Sequence, residues 1–151
     1  MTPRALLAVP ALLLALSACG GGDDEGGGAL SKEEFVSQAN EICTGANERL
    51  DGIEDPATAD DLTRVLQEGA PVFEEAVTAL RDLEAPVADA ESLRTGLLDP
   101  LRAQADALTE AAASPDPATA TEQLSSAEGV DIDTEAVTGY GLTACEELSL
   151  T

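Results

Sequence analysis

The chain has 151 residues, with 30 acidic and 7 basic side chains, a formal charge of −23 at pH 7 and no histidine. That charge repels phosphate backbones, which excludes nucleic acid as a partner. The missing imidazole removes Ser-His-Asp and Cys-His catalysis and most zinc or iron sites. Phe35, Phe73 and Tyr140 are the only aromatics, so a core must be built from Leu, Val and Ala, which suits helices packed through small side chains.

Met1-Thr2-Pro3-Arg4 carries one positive charge, and the run from Ala5 to Leu16 is apolar and without charge. A run of this length is too short for a bilayer span, which needs about 20 residues, and fits the core of a signal peptide. Leu16-Ser17-Ala18-Cys19 follows at once and resembles the lipobox of bacterial lipoproteins. The resemblance implies that residues 1–18 are a signal peptide removed after Ala18. It also implies that the Cys19 thiol carries a diacylglycerol, with acyl chains such as palmitate. No twin Arg is present, which points to the general secretory route. Residues 19–30 then form a lipidated, Gly-rich tether with Asp23, Asp24 and Glu25 at its centre. Ten residues of such chain have a root-mean-square reach of about 17 Å. The expected location is the extracytoplasmic face of the cell membrane, held by lipid, because an acidic surface does not adhere to anionic headgroups.

Residues 31–151 are expected to form one all-α domain, an antiparallel bundle of about four helices. Ser31-Lys32-Glu33-Glu34 is a capping box with Ser31 as N-cap and Glu34 at the third helical position, and Leu30 with Phe35 makes a hydrophobic staple. Phe35, Ala39, Ile42, Cys43, Ala46 and Leu50 recur at helical spacing, and Asp51-Gly52 ends the first helix. The second helix carries a heptad-like seam of Leu62, Leu66, Gly69, Phe73, Ala76, Leu80 and Leu83. Pro71 lies within it and is expected to kink rather than split it, because the seam keeps phase. A third helix is expected over about Val87–Ala113, with Asp99-Pro100 either kinking it or starting a new one. After Ser114-Pro115-Asp116-Pro117, Asp116 caps a helix that runs to about Ala127 and ends at Gly129. Asp133 or Thr134 caps a last one through Ala136 and Val137 that stops near Gly139 to Gly141. Leu142-Thr143-Ala144-Cys145 then leads into a polar tail. No stretch alternates apolar and polar residues as a strand would.

Of three cysteines, Cys19 is assigned to lipid. Cys43 and Cys145 remain as an even pair in an oxidising compartment and are expected to form a disulfide, the alternative being two free thiols. Phe35 with Ile42-Cys43, and Tyr140-Gly141-Leu142 with Cys145, together resemble the opening and closing motifs of small secreted or lipid-anchored helical proteins of high-GC Gram-positive bacteria. The resemblance covers the two ends of the domain. It implies a bundle and a disulfide and carries no chemistry. The acidic extension after Cys145 departs from the pattern.

No nucleophile elbow, phosphate-cradling loop or dinucleotide fingerprint is present. Glu74 with Glu75, and Glu146 with Glu147, read as solvated faces. Asp131-Ile132-Asp133-Thr134-Glu135 has oxygen ligands at alternate positions like a calcium loop. Ala136 stands where such a loop needs Gly, and Leu142 where it needs Glu, so the segment reads as a helix cap. The expectation is therefore a non-enzymatic lipoprotein with no catalytic, metal or cofactor residues, whose domain binds an envelope protein or cell-wall component. The alternative is a carrier or sensor of a small apolar ligand, with a cavity between helices near Pro71 and Pro100.

Overall fold

The computed structural model describes residues 29–127, 130 and 132–148. The expected signal peptide, Cys19 and nearly all of the tether lie outside the described residues, as do Gly129 and Asp131. The fold is all-α. Its elements are α1 (Lys32–Asp51), α2 (Ala59–Asp82), α3 (Ala90–Leu93), a π turn (Arg94–Leu98), α4 (Asp99–Ala112), α5 (Pro117–Ala127), α6 (Thr134–Tyr140) and α7 (Thr143–Glu146).

Local signals set most of the boundaries. The Ser31–Glu34 capping box forms, with both the side chain of Ser31 and that of Glu34 bonded to the other's backbone N–H. A second box, Thr58 with Asp61, opens α2 in the same way. Asp116 accepts from the N–H groups of Ala118 and Thr119 at the start of α5, and Asp133 accepts from Ala136 N–H at the start of α6. Each such cap satisfies donors that the first helical turn leaves unpaired. These bonds to the ionised form hold the Glu34, Asp61 and Asp116 carboxyls below their ordinary range, the Ser31 hydroxyl, Thr58 hydroxyl and Thr119 N–H being the main causes.

The connections run antiparallel. Leu30 N–H donates to Glu84 C=O at 2.9 Å, so the start of α1 meets the end of α2, while Leu50 packs on Gly69 nearer the other end. Arg81 pairs with Asp99 and Gln67 reaches Ala112 C=O, which sets α4 antiparallel to α2. Ser114 bonds Gln123 across the α4–α5 turn. α2 packs most extensively on α4, which also packs on α5, and α1 lies against α2. The α2 seam faces this core: Leu66, Phe73, Ala76 and Leu80 are buried, with Leu62 and Leu83 half-buried. Val77 is buried as well, beyond the seam.

Two prolines were expected to disturb helices, and they act differently. Pro71 is exposed and α2 passes through it unbroken. Gln67, whose carbonyl loses its α-helical donor there, is also on the solvent side, where water can serve it. At Pro100 no new N-cap forms: α3, the π turn and α4 follow one another directly, and Leu98 and Asp99 keep right-handed helical angles. Asp99 N–H donates to Arg94 C=O five residues back. The Gly96 carbonyl, which Pro100 cannot serve, accepts from Asp133 N–H at 3.2 Å. A contact distant in sequence thus completes the helix where Pro opened it.

The C-terminal segment corrects the expectation of a polar tail. α6 ends at Gly141, which has φ 106°, and a Cβ there would come 3.3 Å from Val36 Cγ1. The left-handed backbone favours glycine here, and a Cβ would also press on the Val36 side chain. The chain then turns through α7 and buries Leu142 and Leu148, at 0% and 2% exposure. Thr143–Glu146 was not expected as a helix, and Leu148 was not expected in the core.

Candidate functional site

The structure brings together one cluster of singular side chains, where the C-terminal segment closes on α1. Asn40, Cys43 and Asn47 lie at steps of three and four residues and so share a face of α1. Cys43 and Cys145 are joined, with an S–S distance of 2.05 Å and Cα atoms 5.0 Å apart. Both are fully buried. The Asn40 amide is bonded at both ends: Nδ2 donates to Gly141 C=O at 2.8 Å, and Oδ1 accepts from Ala144 N–H at 3.1 Å. Asn47 Nδ2 donates to Ala144 C=O at 2.9 Å. Two amides therefore supply partners for backbone groups that the short helices α6 and α7 leave unpaired at their ends.

Beside this clasp, Tyr140 is held on three sides. Its ring meets Phe35 edge-on with centroids 6.3 Å apart, and Lys32 Nζ lies 4.2 Å from its centroid on the face. Its hydroxyl donates to Asp89 at 2.9 Å. Partial burial, then the bond to and charge of Asp89, and then the charge of Glu33, push the phenol up to about 12. A phenol this reluctant to ionise serves as a donor and not as a base.

Two further features lie away from the clasp. Gln104 on α4 is buried at 2% exposure; Nε2 donates to Val130 C=O at 2.9 Å, and Oε1 has no protein partner. An open depression of about 460 Å³ on the outside of α2 is lined by Pro71, Glu74, Glu75, Thr78, Ala79 and Asp82. A single helix supplies these walls, and three of the six side chains are carboxylates, one of them, Glu75, paired with Arg49 at 2.8 Å. This depression beside Pro71 thus lies on an outer face of α2 and not between helices. Beside Pro100 the Asp133 N–H meets the Gly96 carbonyl. Among the described residues, no group of three or more His, Cys, Asp or Glu side chains is placed to hold a metal ion.

Of the residues singled out from sequence, Cys43 and Cys145 meet, while Cys19 lies outside the described residues. Asp133 and Glu135 serve α6 as N-cap and first-turn acid. Glu146 and Glu147 are both exposed, and Glu146 accepts from the Thr138 hydroxyl. Asn40 and Asn47 were missed, although their spacing about Cys43 placed them on its face. No family model, curated protein or solved structure matches the chain.

Proposed function

We propose that the chain is a lipoprotein precursor, anchored through Cys19 at the extracytoplasmic face of the membrane, and that its helical domain is a non-enzymatic module binding an envelope protein or cell-wall component. One observation carries the anchor: Leu16-Ser17-Ala18-Cys19 stands directly behind a charge-free apolar run of signal-peptide length. The buried disulfide agrees with an oxidising compartment. Recognition as the domain's task draws support from its chemistry. The chain has no histidine. Its one reluctant phenol and its two clasping amides are committed to bonds within the fold. A surface this acidic restricts the partner to neutral or basic faces, with like charges rejected at the encounter stage.

Mass spectrometry of protein extracted from its own membranes tests the anchor. The expected species begins at Cys19 and carries covalent lipid, and Cys19→Ala releases the domain from the membrane fraction. A chain that retains Met1 and carries no lipid would overturn the reading. Crosslinking in cells followed by enrichment of the domain tests the second half, and a domain that enriches no envelope component would sink it.

A further inference from the structure

We propose that the Cys43–Cys145 disulfide is a redox latch on a C-terminal strap, residues 133–148, which lifts from α1 as a unit while α1, α2, α4 and α5 remain folded. The proposal is independent of the lipid anchor.

The packing divides the domain in this way. α2 on α4, α4 on α5 and α1 on α2 make a core of long helices that bury one another. The strap is built of two short helices, of seven and four residues, which pack on each other, on α1 and on the π turn. Helices of that length have little stability of their own and depend on what they dock against. Few polar bonds fasten the strap: Asn40 and Asn47 to Gly141 and Ala144, Tyr140 to Asp89, and Asp133 N–H to Gly96 C=O. Its apolar contribution is Val137, Leu142, Cys145 and Leu148, with Tyr140 and Ala144 partly buried beside them. The covalent bond between α1 and α7 is what turns this modest interface into a permanent one.

The latch responds to a dithiol reductant. One thiolate of the reductant attacks a sulfur of the pair and forms a mixed disulfide, and the other cysteine leaves as thiolate and takes up a proton. The second thiol of the reductant then displaces the first cysteine, so that two electrons and two protons pass to Cys43 and Cys145 and the reductant becomes a disulfide. Both sulfurs are fully buried, so the strap must fray before the attack. Once reduced, the strap is held by these noncovalent contacts alone, and lifting it bares the Phe35, Ala39 and Cys43 face of α1.

Hydrogen exchange read by mass spectrometry on the full chain is the test, comparing the oxidised protein with the same protein in dithiothreitol and with the Cys43→Ala, Cys145→Ala double variant. The expected result is exchange at least about tenfold faster across 134–148 in both altered forms, with α2 and α4 unchanged. Faster exchange throughout α2 and α4 would overturn the proposal, because the bond would then hold the whole fold. Unchanged exchange across 134–148 would overturn it equally, because the strap would then need no latch.

Discussion

Tyr140 is the only tyrosine in the chain, and no tryptophan is present, so its ionisation can be followed directly by ultraviolet absorbance. Partial burial raises its pKa first, and the hydrogen bond to Asp89, with the charges of Asp89 and Glu33, adds to this, taking it from 10.0 to about 12. A folded value above the unfolded one means that the neutral phenol is favoured in the fold. The stability this contributes is therefore present in full below about pH 10 and drains away as pH rises through about 12. The titration midpoint of the native protein is expected near 12 and that of the urea-unfolded chain near 10. Asp89→Asn should bring the native midpoint down, since it removes a charge that opposes the phenolate. A native midpoint of 10 would mean that the hydroxyl is free in solution and the Asp89 contact is not made. The caps titrate with the opposite sense. The lowered carboxyls of Glu34, Asp61 and Asp116 contribute above their unfolded values, and that contribution is lost as pH falls through the folded ones. Glu34 and Asp116 are exposed and Asp61 is only half-buried, so the acid-side loss is small beside what burial contributes.

Among the elements, the strap departs furthest from what local sequence suggests, and Leu148 is its sharpest probe. Standing among Glu146, Glu147 and Ser149, it reads as a tail residue, yet it is 2% exposed. Leu148→Ala should cost about 2–5 kcal/mol in chemical denaturation, as for other fully buried leucines. A change within about 0.5 kcal/mol, the range of surface substitutions, would place the residue outside the core. The contrast with α1 shows what a sequence can carry. Ser31, Glu34, Phe35, Ala39, Cys43 and Ala46 signal their roles within a few residues of one another, because caps and amphipathic faces are local properties. The box at Thr58–Asp61 is equally local, with Asp standing where Glu or Gln is usual. The π turn and the strap are of another kind. Pro100 announces a lost donor, but the acceptor it orphans, Gly96 C=O, is satisfied by Asp133, 37 residues further on. Leu142 and Leu148 are buried where the chain closes back on α1, beside a bond spanning 102 residues. At the clasp, the two cysteines were legible through their parity, whereas Asn40 and Asn47 take their meaning from Gly141 and Ala144, which only the closed fold places beside them.

For the molecule as a whole, two electrostatic effects oppose each other, and salt separates them. A formal charge of −23 on a compact chain is self-repulsion, relieved on unfolding as the charges move apart. Against it stand the ion pairs of the described residues, such as Arg49–Glu75, Arg64–Glu68 and Arg102–Asp106, whose partners are all at least 40% exposed. Pairs of that kind contribute about 0–1 kcal/mol each and lose it to screening. With seven basic residues against thirty acidic ones, most carboxylates have no cation to pair with. Repulsion is then the larger effect, and sodium chloride should stabilise the fold. The Debye length falls from about 30 Å at 0.01 M to about 10 Å at 0.1 M, which removes the repulsion between distant carboxylates while closely paired charges still feel each other. Thermal unfolding followed by circular dichroism should show Tm rising by several degrees over that interval, since about 1 kcal/mol moves Tm by roughly 2–8 °C for domains of this size class. A Tm that falls with salt would mean that the exposed pairs outweigh the net charge, and the surface would then be a set of cooperating networks rather than a uniform negative field. The same measurement bears on recognition. A field strong enough to destabilise the fold at low salt also draws basic partners and turns away acidic ones, and its reach contracts with the same Debye length. Association of the domain with a basic face should therefore slow over the salt range in which Tm rises.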